Sequence, residues 1–301
     1  MATKTVTVSK TSRRLVMRET VTSYLFMLPF LAFFVLFVVY PMIMCVYTSF
    51  FDATMNADSV FIGFDNYIEL FQDEKFLNAL WNTIIIVLVS VPVTCVFSLW
   101  VASAISKMPV AATSAFRCIF YLPVVTGSVA VTMVWKWMFN NYSGLINHIG
   151  TGLGLLDEGI NWLGDSRYAL GCIILILLTT SVGQPIVLYV SALDNVDKSL
   201  VEAAEVDGAS HLQTFWKIKW PQIMPTTLYI VVITTINSFQ CFALIQLLTQ
   251  GGSNTMTIMY YIYYNAFKLY RYGYGNAMGV ILAIIIAILS AVQFKLGQEK
   301  D

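Results

Sequence analysis

Residues able to carry chemistry are sparse in this sequence of 301 residues. Its only histidines, His148 and His211, stand far apart in the chain, and no cysteine lies near either. A metal site needs several such ligands together, and nucleophilic catalysis needs a nucleophile with its base, so both chemistries lack their constellation. There is no GxxxxGK[ST] loop to cradle nucleotide phosphates. The five cysteines, Cys45, Cys95, Cys118, Cys172 and Cys241, fall singly inside apolar stretches and read as free buried thiols. With 17 basic and 17 acidic residues the formal charge is zero, which leaves no basic field for nucleic acid.

One polar segment, DNVDKSLVEAAEVDGASHLQTFWKIKWPQIMP at 194–225, is patterned rather than merely hydrophilic. Ser199 with Glu202, and Ser210 with Gln213, each have the spacing of a capping box, so two short helices are expected, with Gly208 as the break between them. The first would carry Leu200, Val201, Ala203, Ala204 and Val206, and the second Leu212, Phe215, Trp216 and Ile218, ending at Pro221. Local physics allows two readings: a capped connector packed on its own protein, or a compact knob whose small alanines admit a close partner.

The elements that must position this segment are addressed to lipid. Hydrophobic residues make up 58% of the chain and charged residues 11%, against about 25% charged in a soluble domain. Six apolar segments long enough to cross a bilayer lie near 22–48, 80–106, 117–139, 168–193, 222–249 and 275–296. They are too long for barrel strands, and lipid demands internally satisfied backbone, so an all-α polytopic membrane protein with about six transmembrane helices is expected. One membrane domain spans 1–301, with no internal repeat or linker. Lys4, Lys10, Arg13, Arg14 and Arg18, then Lys107 and Arg117, then Lys198, Lys217 and Lys219, then Lys295 and Lys300 alternate onto one side. Such residues are retained in the cytoplasm, which places both termini and the 194–225 segment there, with residues 1–21 a cytoplasmic amino-terminal segment. The apolar run after the amino-terminal cluster is too long for a cleavable leader and remains as the first span. Trp135, Trp137, Trp162 and the tyrosines from Tyr260 to Tyr274 fit interfacial anchors at external span ends. No span carries Asp or Glu in its apolar body, and Lys136 is near a span end where it can snorkel to the interface. A transporter built this way draws its energy from elsewhere.

Glu202, Ala203 and Ala204, then Asp207, Gly208 and Ala209, then Ile218 and Pro221 match the EAA loop of ATP-binding-cassette (ABC) importer permeases. The resemblance continues through GFDNY at 63–67, FYLPVV at 120–125, INWLGD at 160–165 and QLLTQGG at 246–252, and is similar in detail to the carbohydrate-uptake branch that includes the maltose and glycerol-phosphate permeases. Trp220 departs from the usual leucine before Pro221, and Ser253 from the usual proline after Gly251 and Gly252.

The resemblance implies a type I importer fold. It also implies a second homologous permease, two ATPase subunits that bind ATP and Mg, and an extracytoplasmic solute-binding protein, in the inner or sole cell membrane. No cofactor is expected on this chain. The EAA loop, 194–222, would enter a cleft of the ATPase, with Glu202, Ala203, Ala204, Asp207, Gly208 and Ala209 as the coupling set. Segments that align with the sugar site of the maltose permease place Thr179, Gly183, Thr234, Ser238, Gln240 and Cys241 on the substrate path, with Gln184 and Asn237 as neighbouring donors. Polar residues in spans also bond neighbouring helices, so that alternative stands beside substrate contact. A neutral sugar or oligosaccharide is expected because the spans offer an anion only Lys136. A glycerol phosphodiester, polyamine or amino acid on the same architecture is the alternative, and a secondary transporter a more distant one.

Overall fold

The computed structural model describes residues 10–55 and 58–298. Lys4 and Lys300, which entered the orientation argument, fall outside them. The chain opens with a long helical rod: α1 (Lys10–Phe34), a π-helical turn (Val35–Val39) and α2 (Tyr40–Thr48). Its apolar run is unburied along its length and meets the bundle only at its end, where Asn276 Nδ2 donates to Thr48 Oγ1 at 2.5 Å. A two-strand hairpin follows, β1 (Phe51–Asp52) with β2 (Val60–Phe61), Phe51 opposite Phe61. The GFDNY segment clasps this hairpin to the rod, because Asn66 Nδ2 donates to the carbonyls of Ser49 and Phe51 at 2.8 and 3.0 Å.

After α3 (Asp65–Gln72), Asp73 caps α4 (Glu74–Ile105) by accepting from the Lys75 amide at 2.9 Å. Then come α5 (Val110–Val125), α6 (Ser128–Met138), α7 (Leu145–Gly152), α8 (Ala169–Ser181) and α9 (Gly183–Asp194). The polar segment forms α10 (Lys198–Val206) and α11 (His211–Thr214). A π turn (Phe215–Lys219) leads into α12 (Trp220–Phe239), and α13 (Ala243–Leu248), α14 (Ile258–Tyr263), a third π turn (Tyr264–Lys268) and α15 (Tyr272–Gln298) complete the chain.

Among the described residues four helices are long and apolar enough to cross a membrane, and up to six spans result if each of two bent pairs counts as one. Those pairs correct the straight spans expected at 117–139 and 168–193. Between α5 and α6 the chain turns by 93°, because Thr126 and Gly127 are extended rather than helical. Between α8 and α9 it bends by 42° at Val182. The span expected at 222–249 is interrupted too, since α12 stops at Phe239 and α13 starts at Ala243.

Pro221 does not end a helix as expected. The π turn before it passes the Trp220 amide to the Phe215 carbonyl, and this wider turn precedes the proline that would otherwise disturb the ladder, so the chain continues as α12.

The core is built around α4. Its inner half packs on α9 and α12 through Val101, Ala102, Ile105, Ile186, Tyr189 and Ile223. Its outer half packs on α14 and α15 through Phe76, Ala79, Ile258, Tyr261 and Met278. Polar groups inside the bundle are mostly tied down: Asn82 Nδ2 donates to the carbonyls of Asn254 and Met256, both at 3.0 Å, and Thr83 Oγ1 accepts from the Ile258 amide at 3.0 Å. These bonds hold the turn after QLLTQGG against α4. Ser253 in that turn has φ +51°, a conformation closed to proline, so the departure from the usual residue goes with the local backbone. Asn147 fixes INWLGD in the same manner, accepting from the Ile160 amide and from Trp162 Nε1 at 2.7 Å.

Candidate functional site

Three helix interruptions converge. The ends flanking the α5/α6, α8/α9 and α12/α13 breaks line two adjoining cavities of about 180 and 330 Å³ that share Val124, Thr180 and Asn237. Non-helical backbone at membrane depth is tolerated where it faces a cavity rather than lipid, and transporters place their binding sites at such breaks.

The two polar segments singled out in the sequence are brought together here. Gln184 of α9 faces the first cavity with Thr234, Asn237 and Ser238 of α12. Asn237 continues into the second, with Gln240 and Cys241. The side chains of Gln184, Asn237 and Gln240 are exposed to this space, and no hydrogen bond among the described residues occupies them. Each carboxamide carries two donors and an acceptor, and a free amide is costly in an apolar setting unless water or a ligand meets it. Bonding to other helices within the described residues does not occupy these three. Ser238 is different: it is buried and lies 3.5 Å from Ser90 Oγ. Cys241 is buried, and its carbonyl accepts from Thr257 Oγ1 at 2.8 Å.

Two expected path residues lie elsewhere. Thr179 faces a neighbouring apolar cleft beside Leu122 and Trp135, and its hydroxyl returns to the Ile176 carbonyl at 2.7 Å. Gly183 is a packing residue. A Cβ there would overlap the Phe120 carbonyl oxygen and sit 2.9 Å from Val124 Cγ2, so its smallness lets α9 cross α5 closely. The structure adds Thr126, Ser128, Thr180 and Ser181, which sequence reasoning passed over. The Thr-Gly-Ser run at 126–128 after Pro123 was the available signal. No charged residue lines either cavity.

At one end of the bundle, α10 and α11 form the expected knob, with Gly208 between them at φ +78°. The Ala209 amide reaches the Ala204 carbonyl at 2.9 Å and the Gly208 amide the Glu205 carbonyl at 3.1 Å, a glycine-terminated helix end of Schellman type. The Ser210–Gln213 capping box forms. The one expected at Ser199 and Glu202 does not. Asp197 caps α10, because its carboxylate, two residues earlier, accepts from the Ser199 amide and hydroxyl at 2.9 and 2.8 Å. Those bonds hold the Asp197 carboxyl below its usual range. Glu202 is thereby left outside the cap, exposed with Ala203, Asp207 and Gly208, while Ala204 and Ala209 are half-buried. Apolar side chains share this surface: Val206 is 88% exposed and Leu212 70%. Trp220 packs inward against Phe215 and Trp216, with ring centroids 6.4 and 5.4 Å away.

At the opposite end, Asp73 Oδ2 accepts from the hydroxyls of Tyr261 and Tyr274 at 2.5 and 2.8 Å. Burial opposes its charge, yet these bonds and the amides of Lys75 and Phe76 outweigh it and lower its pKa. Arg271 grips both oxygens of Glu69 at 2.7 Å and lies over the Tyr274 ring. This network locks the start of α4 to α15.

Among the described residues no group of three His, Cys, Asp or Glu could hold a metal. Residues 6–298 match the model of a protein family described as binding-protein-dependent transport system inner membrane component. The chain is 33% identical over 270 residues to the multiple sugar-binding transport system permease protein MsmF of Streptococcus mutans, covering 88% of this chain and 91% of that one. It is 32% identical over 277 residues to the diacetylchitobiose uptake system permease protein NgcF of Streptomyces coelicolor, covering 88% and 78%. Among solved structures it resembles a chain of a bacterial alginate ABC transporter in complex with an alginate pentasaccharide-bound periplasmic protein. There the TM-score is 0.81 at 24% identity, over 92% of this chain and 93% of that one, which is a likeness of fold.

Proposed function

Because the chain belongs to the family of binding-protein-dependent transport system inner membrane components, we propose that it forms one half of the translocation path of an ABC importer for a neutral sugar or oligosaccharide. The observation that carries this reading is the pair of adjoining cavities at three helix breaks, uncharged and bearing the free amides of Gln184, Asn237 and Gln240. Amides with unspent donors and acceptors suit a neutral, hydroxyl-rich solute. The names of MsmF and NgcF point to sugars.

A second, homologous permease closes the path from the other side, and an extracytoplasmic binding protein delivers the solute. The chain is a permease and not an enzyme. Hydrolysis of ATP with Mg belongs to two cytoplasmic ATPase subunits, which the EAA loop engages through Glu202, Ala203, Ala204, Asp207, Gly208 and Ala209. The exposed Val206 and Leu212 beside them supply apolar surface for that contact. The lysine and arginine distribution supports the placement of both termini on the cytoplasmic side.

The test is uptake by the purified complex in liposomes, with its binding protein outside and nucleotide inside. Accumulation of a neutral oligosaccharide is expected only with ATP. In N237A/Q240A it should fall about tenfold or more, since each lost hydrogen bond is worth about 1 kcal/mol. Uptake that persists without nucleotide and collapses with an ionophore would instead identify a secondary transporter.

A further inference from the structure

Between the knob and the bundle lies another cavity, of about 180 Å³, which the transport path does not use. Ser103, Ser106 and Lys107 line it from the end of α4, Glu205 from α10, and His211 and Lys219 from the segment leading into α12. Neither lysine pairs with Glu205 or with any other carboxylate among the described residues. Lys219 is half-buried, unlike the exposed Lys198 and Lys217 nearby, so cytoplasmic retention of positive charge does not account for its place against the cavity. The Ser103 hydroxyl makes no hydrogen bond among the described residues.

Cations, an imidazole and hydroxyl donors thus face one small space from separate helices. Basic pockets between helices on the cytoplasmic side suit phosphate groups, whose several oxygens accept from donors in different directions. We propose that this cavity binds a phosphate group, carried by a soluble ester or an anionic lipid headgroup, which Lys107, Lys219, His211 and Ser103 hold. The bound group bridges the end of α4 to the knob. Glu205 opposes it by like charge and keeps the affinity modest, so that occupancy follows ligand concentration.

The proposal rests on this chain's own side chains and not on what the path carries. Its test places a thiol on the cavity wall by Val201→Cys in the full transporter complex and follows the maleimide labelling rate of that one cysteine by mass spectrometry. One arm titrates inorganic phosphate against chloride at equal ionic strength in detergent. The other compares nanodiscs of phosphatidylcholine alone with nanodiscs containing one part in three, roughly, of phosphatidylglycerol, a composition rich enough to present anionic headgroups. Labelling is expected to slow about tenfold at a ligand concentration ten times the dissociation constant. K107Q and K219Q should each weaken the protection about tenfold, and E205Q should strengthen it. The responding arm names the source of the phosphate. Protection in neither arm, or protection indifferent to the lysine variants, overturns the proposal. Should a lysine variant fail to assemble, an unchanged response in E205Q overturns it equally.

Discussion

Gly208 separates two roles that the EAA loop could give it, and a pair of substitutions distinguishes them. Its φ of +78° carries the Schellman end of α10, and a Cβ built there meets nothing within 4 Å. Within the chain the only cost of a side chain is therefore conformational. Alanine in the left-handed region costs about 1–2 kcal/mol, and asparagine, which bonds locally there, costs less. If Gly208 serves only the turn, Gly208→Asn should couple better than Gly208→Ala. If an ATPase surface closes on it, the order reverses, because the larger side chain intrudes further. Overpacking of about 1–3 kcal/mol corresponds to a loss in docking of roughly five- to 150-fold. We expect the reversed order in binding-protein-stimulated ATP hydrolysis and in uptake by proteoliposomes, whereas the thermal midpoint of the permease without its ATPase should be lowered less by asparagine than by alanine. An asparagine variant that matches the glycine protein in stimulated hydrolysis would refute the docking role of this position.

Two further outcomes test the frame around the path. Gly183→Val should force α9 from α5 by overpacking against the Phe120 carbonyl, costing about 1–3 kcal/mol, and should lower the folded yield in membranes, whereas Thr179→Val should leave uptake near normal. Asp73 has a depressed pKa, so its contribution to stability is present above the ordinary carboxylate value of 3.8 and is lost as pH falls through the lower folded value. Tyr261→Phe should cost about 1 kcal/mol at neutral pH, a figure reduced for the partial exposure of the carboxylate, and should flatten the acid side of the profile, because the folded pKa rises toward the unfolded value and less stability remains to be lost. Thermal midpoints across pH 3–7, a window of roughly that width around the carboxylate range, check both statements, and superimposable profiles would remove Asp73 as the lock.

What was legible in the sequence follows from which physical signals survive in one dimension. Apolar length located the membrane-crossing segments, yet it could not see the 93° turn after Val125, since Thr126, Gly127 and Ser128 barely disturb the mean hydropathy of a long window. Cap spacing succeeded at Ser210 and failed at Ser199, because Asp197 offers a charged acceptor two residues earlier and charge-assisted bonds are the stronger. The resemblance pointed to stretches that the fold brings to the two cavities, without resolving helix faces. Thr179 and Thr180 are adjacent, but about 100° apart around α8, and only Thr180 turns to the cavities. The π turn at Phe215–Lys219 was invisible for a related reason: it keeps the composition of a helix and alters its register.

The knob and the path are joined by the shortest covalent route available. The helix entering the knob, α9, begins at the Gly183 break and carries Gln184, while the helix leaving it, α12, carries Asn237 three residues before its own break at Gln240. From His211 to Phe239 the helical backbone is continuous through the π turn, a rod of about 40 Å at 1.5 Å per residue. Both rods share the tightly packed core of Ile186, Tyr189, Val190, Ile223 and Ile230 with the end of α4. A well-packed core transmits displacement rather than absorbing it. Movement imposed on α10 and α11 is therefore delivered to Gln184 and Asn237 together, at the interruptions where helices can change direction without unpacking. Under the proposed function the fold thus supplies two rigid rods that lead from the knob to the amides lining the cavities.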